Sequence, residues 1–315
     1  MGNLHRCSGR WRLGLALALL VAVLWGLLAI ALKIVLAELD PYTVTWFRFT
    51  VSFGLQGLWL AGRWPSWKDL AQPPWGLWAV AIGGLATNYI LFLVGLQQTS
   101  PSNAQVLIQL APALLGLAGL WVFRERYSLW QWVGVGVLAF GMSLFFHEQL
   151  TTLVVDSQRY LWGNLCLVGG AIAWAAYGVA QKQLLRDLPS VSVMWAIYGG
   201  CAVLFWPFAQ PGTLAQLSPL GWFLLLFCAL NTLVAYGGFA AALEHLEASR
   251  VSAVVAMPPL ITVGVVSVLP YFLPDLPFAD PITGLSVVGA LGVASGSVLV
   301  SGALERRDSI EWNDR

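Results

Sequence analysis

The stretch YILFLVGLQQTSPSNAQVLIQLAP, residues 89–112, returns 147 positions later in a looser form as YGGFAAALEHLEASRVSAVVAMPP, residues 236–259. Tyr89, Leu96, Ser102 and Pro112 have counterparts in Tyr236, Leu243, Ser249 and Pro259. Upstream, Trp25 and Lys33 return 149 positions later as Trp174 and Lys182. Two copies of one pattern at nearly constant offset indicate a duplicated unit.

Ten stretches around these anchors are long and apolar enough to cross a hydrocarbon core of about 30 Å, which takes roughly 20 helical residues. They are Leu13 to Leu36, Pro41 to Ala61, Trp75 to Leu96, Ser102 to Phe123, Leu129 to Phe146, Tyr160 to Leu185, Val191 to Pro207, Pro219 to Leu243, Ser249 to Phe272 and Pro281 to Leu304. Each copy holds five, and an odd number of spans inserts the second copy upside down. The expected fold is an all-α integral membrane protein of ten transmembrane helices in two inverted five-helix repeats, 13–146 and 160–304. Polar tails at 1–12 and 305–315 flank them. Helices alone fit, because backbone in lipid must satisfy its own hydrogen bonds. The first span is longer than a signal-peptide core and lacks a cleavage site, so it reads as an uncleaved helix.

Composition supports this. In 315 residues, 58% are hydrophobic and 10% charged, with a mean hydropathy of +0.75, too little polar surface for a soluble globule of this size. A net charge of +1 with scattered basic residues gives no nucleic-acid footprint, so the expected partners are the lipid bilayer and a small molecule. A monomer satisfies these observations. Cys7, Cys166, Cys201 and Cys228 show no CxxC or paired spacing, so neither a metal site nor a disulfide framework is expected, nor any cofactor.

Basic residues set the orientation. With both termini cytoplasmic, the cytoplasmic segments carry Arg6, Arg10, Arg12, Arg63, Lys68, Arg124, Arg126, Lys182, Arg186, Arg250, Arg306, Arg307 and Arg315, which is 13 of 16. The other side keeps Lys33 and Arg159, and Arg48 lies within a span. That asymmetry follows the positive-inside rule for a cell (plasma or inner) membrane protein, and an odd miscount of spans would spoil it.

Inverted repeats build secondary transporters, which rock two halves around a site near the midplane. The first half also carries Trp25-Gly26, Lys33, Asp40-Pro41, Arg48-Phe49, Gly95-Leu96 running into Thr99 to Asn103, and Pro112. Arg124-Glu125-Arg126, Gln131 to Gly134 and Gly141 follow, and the second half repeats Pro259, Gly289 and Gly296. In order, spacing and duplication these resemble the EamA-type branch of the drug/metabolite transporter (DMT) superfamily, over nearly the whole chain. The resemblance implies a ten-helix carrier of small metabolites, often an exporter of amino acids or related compounds. Asp280 followed by Pro281 stands where the first half has Glu125, a departure from a matched acidic pair.

Polar side chains at membrane depth are the candidate site, because each costs free energy unless it meets a partner or a wet cavity. Thr45, Arg48, Ser52 and Gln56 share one face of the second span. Gln105 and Gln109 precede Pro112, whose ring removes a helix hydrogen bond and bends a cavity-lining helix; Pro259 is its counterpart. Asn88 and Asn231 lie in spans three and eight. Buried amides glue helices as readily as they bind ligands, and glycine stripes read first as close packing. Arg48 has two readings, substrate carboxylate or structural carbonyls. Lys33 and Lys182 lie near span ends, where long stems snorkel to water. Many tryptophans sit at span ends as a headgroup belt, but Trp25 and Trp174 are mid-span. With Tyr177 and the pair Tyr89 and Tyr236 they suggest an aromatic cage, a pattern core packing explains equally.

The expected function is a carrier of small amphipathic metabolites, exporting or facilitating by alternating access. The alternatives are a membrane scaffold or sensor, and an intramembrane enzyme. The enzyme is disfavoured: His5, His147 and His245 fall outside or at the edge of spans, and no GxSxG or HExxH motif lies at membrane depth. No span has a carboxylate in its central part, which argues against proton coupling of the usual carboxylate kind. Topology is directly measurable. Reporters fused after Gln97, Gln210 or Leu276 will read the outer side and those after Trp67, Glu125 or Glu247 the cytoplasm; one inverted signal would remove the span count around it.

Overall fold

The computed structural model describes residues 10–61, 70, 74–122, 128–152, 157–185, 188–245, 254, 256–272 and 283–300. Among these are eleven α-helices: α1 Trp11–Val35, α2 Pro41–Trp59, α3 Trp75–Gln98, α4 Pro101–Leu107, α5 Leu110–Val122, α6 Leu129–Thr152, α7 Ser157–Leu184, α8 Ser190–Phe205, α9 Pro219–His245, α10 Pro258–Phe272 and α11 Gly284–Val300. Each expected span overlaps one helix or, for the fourth, a broken pair, the ninth being described only at Val254 and from Ala256 on. Five apolar segments, Trp11–Val35, Trp75–Gln98, Gln158–Gln181, Ser190–Phe208 and Pro219–Phe239, are long enough to cross a membrane by length and composition. Glu125, Ser249, Asp280, residues 1–9 of the N-terminal tail, the C-terminal tail and the Lys182 side chain lie outside the described residues.

Local chemistry sets the helix starts. Asp40 caps α2, its Oδ1 accepting from the backbone N–H of Tyr42 and Thr43 at 2.9 Å each, with Pro41 as the first helical residue. Ser100 does the same for α4, accepting from Asn103 at 3.2 Å ahead of Pro101.

The fourth span is broken, where a bent continuous helix was expected. α4 stops at Leu107 and α5 starts at Leu110. Pro112 is the cause: four residues on from Ile108, it has no N–H for the Ile108 carbonyl and its ring crowds it. That carbonyl instead takes the N–H of Ala111 at 2.9 Å, a tighter three-residue turn. In the ninth span Val254 is helical, Ala256 and Met257 form a turn, and α10 then opens with Pro258 and Pro259.

Helix pairing follows the duplication. α1 lies on α9 and α7 on α3, so the first helix of each repeat packs on the third of the other. The second helices pair (α2 with α8), the broken fourth spans meet (α4 with α10), and the fifth helices pair (α6 with α11). Exchanging the repeats leaves this scheme unchanged, as an inverted duplication requires. The outer shell is apolar, with Leu58, Trp59, Leu129 and Tyr271 largely exposed, as a bilayer-facing surface must be.

Glycine makes the closest contacts possible. A Cβ on Gly141 of α6 would lie 2.5 Å from the Val293 nitrogen of α11, and one on Gly289 2.6 Å from the Phe145 nitrogen. Between α3 and α7, a Cβ on Gly95 would meet the Gly163 carbonyl at 2.8 Å. These glycines let backbones touch, which is how helices associate where lipid is as apolar as leucine. Gly289→Ala will destabilise by about 1–3 kcal/mol in thermal unfolding, as overpacking does. Gly54→Ala will be neutral or slightly stabilising, since nothing lies within 4 Å of its Cβ position; equal losses at both would refute the packing account.

Candidate functional site

Thr45, Arg48, Ser52 and Gln56 of α2 are all buried, so the polar seam does face the protein interior. Two members act as braces: Ser52 Oγ donates to the Ala229 carbonyl of α9 at 3.4 Å, and Gln56 Nε2 to the Val191 carbonyl of α8 at 2.9 Å. Arg48 differs. It is 2% exposed and is the one charged side chain buried among the described residues. Its Nε donates to Thr232 Oγ1 at 3.2 Å, while the Thr232 hydroxyl donates to the Cys228 carbonyl at 3.0 Å. The guanidinium carbon stands 4.7 Å from the centre of the Tyr89 ring. No carboxylate pairs with Arg48 among the described residues. A desolvated cation–π contact is worth about 2 kcal/mol, against about 2.5–3.5 kcal/mol for placing arginine at mid-membrane. Tyr89 and Thr232 together therefore offset much of the cost without neutralising the charge.

Rings surround this cation. Tyr89 packs on Phe49 at 4.5 Å, and Tyr198 donates to the Thr232 carbonyl at 3.3 Å. Trp174 meets Tyr177 edge-on at 6.2 Å, and Trp25 meets Tyr236 edge-on at 5.9 Å. Tyr89, Tyr177 and Tyr198 belong to one buried cluster, with Trp174 and Tyr236 packed against it. Of the residues expected to form the site, Arg48, Tyr89, Trp174, Tyr177 and Tyr236 gather here, with Trp25 beside Tyr236.

Three of the amides brace helices. Asn88 of α3 donates to the Gly170 carbonyl of α7 at 2.9 Å, and Asn231 of α9 to the Leu24 carbonyl of α1 at 2.6 Å. Each stitches the third helix of one repeat to the first helix of the other. Gln109 Nε2 donates at 3.2 Å to the carbonyl of Ala256, its own counterpart 147 positions on. Gln105 is buried on α4. Lys33 does not snorkel to the lipid interface; its ammonium caps the C-terminus of α3, bonding the Leu96, Gln97 and Thr99 carbonyls. Thr232 and Tyr198 escaped the sequence reading, and Phe49 entered it only as part of a family motif. Thr232 could have been found as a hydroxyl four residues before Tyr236, on the same helical face.

The two span-end carboxylates described, Glu38 and Asp40, are committed to helix ends. Glu38 accepts from the Ser218 N–H at 2.8 Å and the Ser218 hydroxyl at 2.7 Å, and Asp40 holds the start of α2. Glu125 and the side chain of Glu244 lie outside the described residues. Among the described residues no three His, Cys, Asp or Glu side chains cluster as metal ligands.

Two segments, 12–147 and 161–302, match the family model described as the EamA-like transporter family. The chain belongs to this family. It is 39% identical over 295 residues to the "Uncharacterized inner membrane transporter YhbE" of Escherichia coli (strain K12), covering 93% of this chain and 90% of that one. An "Uncharacterized transporter" of Haemophilus influenzae is 35% identical, covering 91% and 94%. At 22% identity, covering 89% and 92%, stands a "Probable amino-acid metabolite efflux pump" of Salmonella typhimurium. A solved structure titled "Crystal structure of protein" shares the fold at a TM-score of 0.61 and 20% identity, over 94% of this chain and 99% of its own. This EamA-like chain is therefore a membrane transporter, with inner-membrane relatives.

The aromatic contact to Arg48 can be isolated. Tyr89→Phe keeps the ring and will cost less thermal stability than Tyr89→Leu, which also loses a cation–π contact worth about 2 kcal/mol. If Phe and Leu cost the same, the ring face is not what steadies the guanidinium.

Proposed function

We propose that this EamA-like transporter carries small carboxylate-bearing, amphipathic metabolites of the amino-acid class through the inner membrane by alternating access, both termini being cytoplasmic. One observation supports this above the others: a single cation, Arg48, is buried among aromatic rings with no carboxylate paired to it among the described residues. An arginine so placed is a seat for an anion, and its planar fork suits a carboxylate. Rings around it suit the hydrocarbon part of an amphipathic molecule. The relative named for amino-acid metabolite efflux is consistent with that chemistry.

Driving force follows from the same inventory. Among the described residues no carboxylate is buried, and Glu38 and Asp40 hold helix ends, so a proton-binding acid is missing from the core described. Flux down a substrate gradient will persist after a protonophore.

The test is uptake into liposomes by the purified protein, with a carboxylate substrate and its amidated analogue. Saturable uptake separates a carrier from a scaffold. Amidation will weaken the wild type by roughly one to two decades, since a charged hydrogen bond is worth about 1.5–3 kcal/mol. Arg48→Lys keeps the charge but not the fork, so it will weaken the carboxylate and discriminate little between the two ligands. An unchanged affinity ratio in a folded Arg48→Lys protein would make Arg48 architectural.

A further inference from the structure

An arginine offers a carboxylate two edges, Nε with one terminal nitrogen or the two terminal nitrogens together. At Arg48 the choice falls to Thr232. A threonine hydroxyl has a single proton, and that of Thr232 goes back one helical turn to the Cys228 carbonyl at 3.0 Å. What Arg48 meets is therefore the lone pairs of Thr232 Oγ1, to which its Nε donates at 3.2 Å. Nε has one hydrogen, and this bond uses it. A two-pronged partner can then be taken only through the terminal pair.

The threonine is itself held. Thr232, Cys228 and Tyr198 are all buried. Tyr198 of α8 donates to the Thr232 carbonyl at 3.3 Å, and the preceding residue, Asn231, donates to the Leu24 carbonyl of α1 at 2.6 Å. At the turn that meets Arg48, α9 is thus tied to α1 and α8 as well as to α2. On the guanidinium the hydroxyl acts at the edge and the Tyr89 ring, 4.7 Å from Cζ, at the face. Rotation about the Cδ–Nε bond would swing the Nε–H off the hydroxyl and the plane off the ring, so the two contacts together fix the plane. A fork fixed in advance loses less entropy when it binds. We infer that Thr232 is a positioning residue of the carrier, which orients Arg48 so that its two terminal nitrogens, end-on, receive the substrate carboxylate. That role rests on the carboxylate carrier proposed above, and it adds which edge of Arg48 the substrate meets and which residue sets it.

The probes are L-phenylalanine and L-leucine, each with its amide, presented to the full-length protein in liposomes. Uptake of the labelled amino acid gives one affinity, and inhibition of that uptake by the amide gives the other. Thr232→Val keeps the shape and removes the hydroxyl, so it will weaken the amino acid about three- to tenfold and the amide little, and the ratio of the two affinities will fall. Thr232→Ser keeps the hydroxyl and loses a buried methyl, and it will hold the ratio near the wild-type value. Both substitutions will lower Tm, but only the first will lower the ratio, which a merely structural threonine would leave alone in both. If Thr232→Val does not fold, Thr232→Ala set against Thr232→Ser makes the same comparison, since both lack the methyl and differ in the hydroxyl. A ratio that falls in Arg48→Lys but keeps its wild-type value in a folded protein without the Thr232 hydroxyl would overturn the role of Thr232 and leave the carrier standing. Equal falls with and without the hydroxyl would overturn it too. No saturable uptake of either amino acid, or an unchanged ratio in Arg48→Lys, would remove the carboxylate seat and the role of Thr232 with it.

Discussion

Inside a bilayer a carbonyl released from its helix has to be met by protein, and at Ala256 it is met by Gln109. This bond joins the two broken spans at equivalent positions of the repeats, where the pseudo-twofold relation brings each position against its own counterpart. The prolines that open the helices would otherwise expose backbone to hydrocarbon. Continuous helices elsewhere among the described residues need no such partner within their spans. Short, interrupted spans whose backbone is braced across the repeat interface are the form that carriers give to a midplane site.

Around that centre the repeats are held by two kinds of contact. Glycine lets α6 touch α11 and α3 touch α7 with backbone against backbone. Single amides, Asn88 and Asn231, then stitch the outer pairs. Arg48 belongs to neither kind. It ties α2 to α9 through Thr232 and to α3 through the Tyr89 face, so it reads three helices at once, with no carboxylate paired to it among the described residues.

Much of this was legible in the chain. Apolar run lengths gave the helices, and the spacing of Thr45, Arg48, Ser52 and Gln56 correctly turned them inward, because a helical period maps sequence directly onto a face. The recurrence of Tyr89 as Tyr236 and of Trp25 as Trp174 placed rings near the repeat interface. What stayed hidden depended on neighbours distant in sequence. Asn88 and Gln109 read equally as ligands or as glue until the carbonyls of Gly170 and Ala256 were opposite them. Thr232 looked like an ordinary hydroxyl until Arg48 faced it. Pro112 announced a bend but not a full break, because the outcome turned on whether a partner existed for the opened backbone. Lys33 looked like an interfacial anchor, since nothing local reveals that the end of α3 lies within its reach.

The partner of Arg48 is 184 residues further along the chain, and that of Asn88 is 82 residues further. During synthesis the first five spans therefore enter the membrane with a cation and a carboxamide that have no completed surroundings. The glycine faces of α3 and α6 wait in the same way for α7 and α11. Biogenesis is thus a delayed assembly: the first half must be tolerated by lipid, by retained water or by the insertion machinery until the second half arrives inverted beside it. Contacts of such long range make maturation slow relative to insertion. The cell's quality control meets this protein first as a half-built bundle whose least stable feature is the Arg48 charge.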